Sequence, residues 1–400
     1  MILRLHELPI AGRRALVRVD FNVPLSEDGA IVDDTRIREA LPTLQELRSA
    51  GAIPILLSHL GRPKGKPMPH LSLAPVARHL ATLLDCTVHF APDCIGEPAQ
   101  RSIADARPGD VVVLENLRFH PGEESNDEAF AAQLVHGTEV YVNDAFGTIH
   151  RAHASVVALP RRMRWKGMGL LMEREITALR RLRDTAERPY VAILGGAKVS
   201  DKLDVLQALL QRCDVLLLGG GMAFTFLAAR GVQIGNSLVE PDLIPTAHQL
   251  LQQADALGKQ ILLPVDVYCA PELRNGAPVQ LALLSEGGIP EGWRGADIGP
   301  QTVALFARQL ESARTIFWNG PLGVYEIPAF RAGTLELARA IAEATRRGAF
   351  SLVGGGDSVA ALRQLGMESA VSHLSTGGGA SLEFLAGRTL PGLEALEGQS

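Results

Sequence analysis

The 400-residue sequence predicts an α/β protein of two doubly wound parallel-sheet domains, Rossmann-like in style. Three observations carry this. Short apolar runs alternate with amphipathic stretches along the whole chain. The runs are continuous in Val, Ile and Leu rather than alternating with polar residues, the pattern of parallel strands buried on both faces. Most runs end in glycine or polar residues, as strands do where they feed ligand-binding loops at the carboxyl rim of an open sheet.

In the first half the predicted strands are ALVRV (15–19), IPILL (53–57), VVVL (111–114) and VYV (140–142). In the second half they are YVAIL (190–194), DVLLL (214–218), QILLPV (260–265), TIFW (315–318) and FSLV (350–353). Stretches such as TRIREALPTLQELRSAG and SDKLDVLQALLQRC supply the helices between them. A charged, glycine-free segment, LLMEREITALRRLRDTAERPY (170–190), reads as a helix joining the two domains. The expected division is 1–170, a linking helix over 171–188, and 189–380.

Composition narrows the function. Hydrophobic residues make up 46% and charged residues 21%, enough for real cores and unlike a disordered chain. A net charge of −5 argues against a general nucleic-acid binder. Cys86, Cys94, Cys213 and Cys269 form no CxxC pair and no His/Cys spacing of a zinc motif, so they read as buried thiols in a reducing compartment. The start, MILRLHELP, has no apolar signal region, and no run approaches the ~20 residues of a membrane span. A cytoplasmic protein is expected.

The loops after the strands differ between the halves. In the first half they collect arginines: Asp20 and Asn22 in DFNVP, Arg36 on the next helix, His59 and Arg62 in SHLGRP, Arg118 in ENLRFHPGEES, and Arg151 between His150 and His153. Guanidinium forks bind phosphate and carboxylate in two-pronged fashion, so a ring of them suits a small, highly charged anion. The histidines read as bases, metal ligands or hydrogen-bonded structural residues; His150 and His153 lack a further ligand at a zinc spacing. In the second half the loops collect glycines: LGGAK, LGGGMAF, WNGPLG, VGGGDS and STGGGAS. Successive amides and close backbone approach suit a polyphosphate, most simply a nucleotide. Lys198 and Lys202 sit at a predicted helix start, where cations are unfavourable unless an anion lies there, and their spacing puts them on one helix face. Asp357 reads either as a helix cap or as a ligand for Mg²⁺ beside the phosphates. The phosphate-loop motif GxxxxGK[ST], the dinucleotide motif GxGxxG and the protein-kinase signatures are all absent.

Nine ordered segments resemble the phosphoglycerate kinase family: RVDFNVP, SHLGRPKG, ENLRFHPGEE, NDAFGTIHRAHAS, LGGAKVSDK, GGGMAFTFL, WNGPLGVYE, VGGGDS and STGGGAS. The resemblance implies a monomeric, bilobal, hinge-closing enzyme that transfers a phosphoryl group between 1,3-bisphosphoglycerate and ADP, giving 3-phosphoglycerate and MgATP. It implies a glycerate site of Asp20, Phe21, Asn22, Arg36, His59, Leu60, Gly61, Arg62, Arg118 and Arg151. The implied nucleotide site comprises Gly195, Ala197, Lys198, Lys202, Gly220, Gly295, Asn319, Glu326, Gly354, Gly355, Gly356, Asp357 and Ser358, with Asp357 toward the metal. Arg36, Lys198, Gly377 and Gly378 are implied to act on the transferred group. The family's tail returns to the N-terminal lobe, so residues 381–400 are expected there. Arg388 stands where the family leads one to expect lysine, and Ser358 where threonine is also common. Two rival readings fit the sequence less well. A dehydrogenase requires the missing dinucleotide fingerprint. A binding module that kept only the fold predicts loss of Arg36, Lys198 or Asp357, all of which are present.

Overall fold

The computed structural model describes residues 2–398 and divides the chain into two compact units. Unit 1 runs to Thr177 and takes in the segment from Thr389; unit 2 is Ala178–Arg388. Among the described residues unit 1 has seven strands: β1 (Leu3–Arg4), β2 (Arg14–Arg18), β3 (Ile53–Leu57), β4 (Val88–Ala91), β5 (Val111–Leu114), β6 (Val140–Asn143) and β7 (Trp165–Met168). All pair in parallel, in the order β1-β7-β6-β2-β3-β5-β4. Both faces are covered. Ala15, Val17, Leu56, Val113 and Val142 join one apolar cluster, while their strand neighbours Leu16, Ile55, Leu57, Val112 and Tyr141 are equally buried.

Unit 2 carries a parallel sheet of β8 (Tyr190–Leu194), β9 (Val215–Leu218), β10 (Gln260–Leu262), β14 (Thr315–Asn319), β15 (Phe350–Gly354) and β16 (His373–Ser375). The strand order is β10-β9-β8-β14-β15-β16. Between β10 and β14 the chain makes an antiparallel sheet, β12-β11-β13, from β11 (Asp266–Ala270), β12 (Gln280–Leu283) and β13 (Arg294–Ile298). In each parallel sheet the strand order reverses once, between β2 and β6 in unit 1 and between β8 and β14 in unit 2. These are the switch points where open α/β sheets leave a crevice.

The predicted runs all appear, with corrections. The run 260–265 ends as a strand at Leu262. The short edge strands β1 and β16, the more polar β4 and β7, and the antiparallel sheet escape the sequence reading, because their runs are too short or too mixed. The linking helix is Leu170–Asp184 rather than 171–188, and the division falls inside it. Its start is held by the buried Asp144, whose Oδ1 accepts from the amides of Leu171 (3.0 Å) and Met172 (3.2 Å). The returning tail begins at Thr389 rather than 381: the helix Gly379–Leu385 packs with unit 2 against Leu203–Arg212.

Candidate functional site

In unit 1 the loops after β6, β2, β3 and β5, four neighbours in the sheet, share one rim. Asp20 pairs with Arg36, and Asn22 Oδ1 accepts from the Gly61 amide at 2.9 Å, tying the first loop to the second. Asn116 ties the second to the third: its Oδ1 accepts from the amides of Leu60 (3.2 Å) and Arg118 (3.1 Å), and its Nδ2 donates to Leu60 O at 2.7 Å. Arg118 is buried, donates to Gly61 O at 2.7 Å and faces Glu124 at 3.3 Å. Arg151 is exposed, with Nε 3.2 Å from His150 Nε2. Arg62 is exposed and makes no hydrogen bond or ion pair among the described residues. The Phe21 and Leu60 side chains are buried in the core of unit 1, and their backbones bond to Ser58 and Asn116.

The electrostatics show these groups converging. Burial, then the charges of Arg18, Arg118 and Arg36, hold the His59 imidazole well below its usual range. Burial and the charges of Arg118, Arg18 and Arg151 bring His153 down to about 4. Both rings are therefore neutral and weakly basic at pH 7, in a pocket of fixed positive charge. The sequence reading missed Arg18. It ends β2 between Leu57 and Asn143 and is 1% exposed. Its guanidinium donates to Ser155 Oγ (2.9 Å) and lies 3.1 Å from His59 Nδ1. Ser155 in turn donates from Oγ (2.6 Å) and from its amide (2.9 Å) to the fully buried Glu123. Arg18 looks like strand filler in ALVRV; nothing local marks it as the base of the site.

In unit 2 the rim glycines divide into two kinds. Some let loops touch each other rather than a ligand. A Cβ on Gly195 would lie 2.0 Å from Pro321 O, and one on Gly220, at φ +66, would lie 2.7 Å from Gly196 N. Others face open space: nothing lies within 4 Å of a Cβ on Gly356 or Gly378. The Gly377 amide is committed to Ser375 Oγ at 3.2 Å, which leaves Gly378 the better placed of that pair. Gly354 ends β15 in register with Asn319, and a Cβ on Gly355 would lie 3.3 Å from Asn319 Nδ2. A cavity of about 660 Å³ lies beside them, bounded by Ala197, Gly220, Phe224, Gly295, Glu326 and Asp357 among others. That is the size of small-molecule sites. Gly295 belongs to the missed sheet; a Cβ there would lie 2.0 Å from the Phe224 ring.

The two lysines do not share a helix face. Lys198 is exposed in the loop, near the Glu240 carboxylate. Lys202 ends a 3₁₀ turn, Ser200–Lys202, before the α-helix Leu203–Arg212 begins. Its buried ammonium donates to Gly195 O (2.6 Å), Asn319 O (3.0 Å) and Asn319 Oδ1 (2.8 Å), bridging the two strands at the switch point. Burial brings it down to about 8. The amides expected to meet an anion at this turn are occupied: Glu240 Oε2 accepts from Val199 N (2.6 Å) and Ser200 N (3.2 Å). Ser358 is buried and its hydroxyl accepts from Gly320 N at 2.8 Å, so it joins loops. Asp357 is exposed, does not cap its helix, and makes no hydrogen bond or ion pair among the described residues. Partial burial and the neighbouring Glu326 charge raise its carboxyl, against Lys202. Asp357 and Glu326 both line the cavity, and carboxylate oxygens are donors that fit Mg²⁺. Arg388 pairs with Asp204 and keeps the charge of the lysine expected there.

Comparison with known proteins bears on these rims. A family model described as phosphoglycerate kinase matches residues 5–388. The phosphoglycerate kinases of Prosthecochloris aestuarii and Chloroflexus aggregans are each 50% identical, over 392 and 395 residues, covering 98% of this chain and 98% of theirs. The solved phosphoglycerate kinase of Coxiella burnetii is similar with a TM-score of 0.87 at 38% identity, covering 99% of both chains. That of Pyrococcus horikoshii gives 0.85 at 33% identity, covering 99% of this chain and 98% of its own.

Proposed function

The chain belongs to the phosphoglycerate kinase family, and from that premise we propose how its residues divide the work of the reaction. The protein is a phosphotransferase with a carboxyl acceptor, moving a phosphoryl group reversibly between 1,3-bisphosphoglycerate and ADP to give 3-phosphoglycerate and ATP. The proposal assigns the glycerate to the arginine rim of unit 1 and the nucleotide to the glycine rim of unit 2. One observation carries it: the charged rim and the apolar, glycine-walled cavity lie on different units, each at its own switch point.

Phosphoryl transfer proceeds through a loose transition state, so position and charge dominate over covalent chemistry. The acceptor carboxylate is already ionised near pH 7 and needs no base. The weakly basic His59 and His153 agree with that, and serve as neutral hydrogen-bond partners. Asp20 holds Arg36, and Arg118 and Arg151 neutralise the substrate's anionic groups together with Arg62. Lys198, exposed and without a hydrogen bond among the described residues, is assigned to the transferred group, as is Arg36, and the Gly378 amide adds a donor. Lys202 sets a fixed charge under the nucleotide phosphates and exchanges a carbonyl contact to reach them. Asp357, with Glu326 beside it, would hold Mg²⁺, which supplies charge neutralisation to the phosphates when bound. A cytoplasmic monomer without nucleic-acid partners is part of the proposal, supported by four free cysteines and a net charge of −5. No helix among the described residues is long and apolar enough to cross a membrane.

The test is a coupled assay of ATP-dependent phosphorylation of 3-phosphoglycerate by wild type, Arg36→Ala and Lys198→Ala. Both variants are expected to keep their fold and lose activity at least ~100-fold. A folded variant with near wild-type turnover would remove that residue from the proposed mechanism.

A further inference from the structure

Away from the residues assigned to transfer, three side chains of different chemistry meet beyond the carboxyl ends of β4 and β5. Asp93 and Cys94 follow β4, and His120 follows β5 and the turn that carries Arg118. One donor atom from each lies within 4.8 Å of the other two. His120 Nε2 is 2.7 Å from Asp93 Oδ1, which also accepts from the amides of Cys94 (2.6 Å) and Ile95 (3.3 Å). The imidazole stacks on Phe130 with ring centres 5.3 Å apart, and His136 Nε2 lies 2.9 Å from the Cys94 carbonyl oxygen. The scaffold thus holds both loops through the Asp93 carboxylate, the His120 and His136 rings and backbone groups, while among the described residues the Cys94 thiol meets only its own backbone amide. Cys94 is fully buried, yet a cavity of about 550 Å³ opens beside Asp93 and His120.

We propose that Asp93, Cys94 and His120 bind a divalent cation of the zinc class, with a water from the adjacent cavity as fourth ligand. One thiolate, one imidazole and one carboxylate are the donor mix of borderline-soft metals. Mg²⁺ takes oxygen ligands and has no use for the sulfur, so this site is separate from the nucleotide's metal. Donor atoms around tetrahedral zinc lie about 3.3–3.8 Å apart, so the cluster closes with side-chain shifts of about 1 Å. The cation takes the place of the thiol proton, which leaves to solvent, and of any proton on His120 Nε2, the ring then binding as the neutral tautomer with its proton on Nδ1. A metal here ties two loops at the rim of the unit 1 sheet. No sequence motif announces it, because Asp93 and His120 stand 27 positions apart on separate strand ends.

The experiment titrates Co²⁺ into the chelator-stripped full-length protein without nucleotide. A thiolate-to-cobalt absorption band is expected, saturating at one equivalent, displaced by Zn²⁺ and unmoved by millimolar Mg²⁺. Cys94→Ser is expected to abolish the band, and Cys269→Ser to keep it. Asp93→Asn and His120→Gln are each expected to weaken Co²⁺ binding at least ~10-fold. No band in wild type, or a band that survives in folded Cys94→Ser, overturns the site. If Cys94→Ser does not fold, His120→Gln decides: a tenfold loss supports the site and unchanged affinity overturns it.

Discussion

Arg18 and Lys202 are the two cations around which the rims are organised, and each is charged where a charge is expensive. The Arg18 guanidinium beside His59 Nδ1 makes that nitrogen the acceptor, so the ring proton sits on Nε2. Removing Arg18 leaves Glu123 buried without its counter-charge, and burial already raises the Glu123 carboxyl. Arg18→Met is therefore expected to cost about 3–5 kcal/mol in denaturant unfolding and to raise KM for 3-phosphoglycerate. Lys202 makes a different prediction. Its folded pKa of about 8 means the charge is present at neutral pH and lost as pH rises through that value. If the charge binds phosphate, kcat/KM for ADP falls about tenfold per pH unit beyond it, since that ratio reports the free enzyme. Lys202→Arg, which does not titrate there, is expected to lack this limb whatever its absolute rate. A limb near 8 that persists in the variant would assign the titration elsewhere.

The elements that matter most for the glycerate rim are distant in sequence. The helix Pro391–Leu396 packs on the segment that carries Arg151: the Gly392 amide donates to Ile149 O at 2.9 Å, and Ala395 joins Val156 and Val157 in one apolar cluster. Gly392 stands so close that a Cβ would meet Ile149 Cβ and Val156 Cγ1 at 2.8 Å. Gly392→Ala is thus expected to destabilise by about 1–3 kcal/mol through overpacking. Because the clash falls one residue before His150, KM for 3-phosphoglycerate is expected to rise with KM for ADP unchanged. Equal changes in both constants would show that the tail acts on the whole fold rather than on this rim.

At the scale of the molecule, the chain is two units with separate cores, one around the β2 and β3 strands and one around Trp318. Units with their own cores tend to unfold as units. ADP at about a hundred times its Kd adds about 2.7 kcal/mol to whatever binds it. Calorimetry is therefore expected to show ADP raising the transition of unit 2, and 3-phosphoglycerate raising that of unit 1. A single transition shifted alike by both ligands would overturn that independence.

The sequence by itself determined the fold class, because buried parallel strands must be continuously apolar, as YVAIL and IPILL are. It also determined the family, through nine ordered segments, and the chemistry of each rim, because arginines and glycines cluster where strands end. What it did not determine depends on which residues meet. Arg18 reads as part of a strand until the register sets it beneath His59. Lys198 and Lys202 read as a pair until the late start of the helix buries one and exposes the other. Asp93, Cys94 and His120 carry no mutual signal until β4 and β5 lie side by side. Local pattern follows from backbone periodicity and solvent, which act on neighbours in the chain. Burial, charge pairing and metal-sized clusters follow from neighbours in space, and only the tertiary structure chooses those.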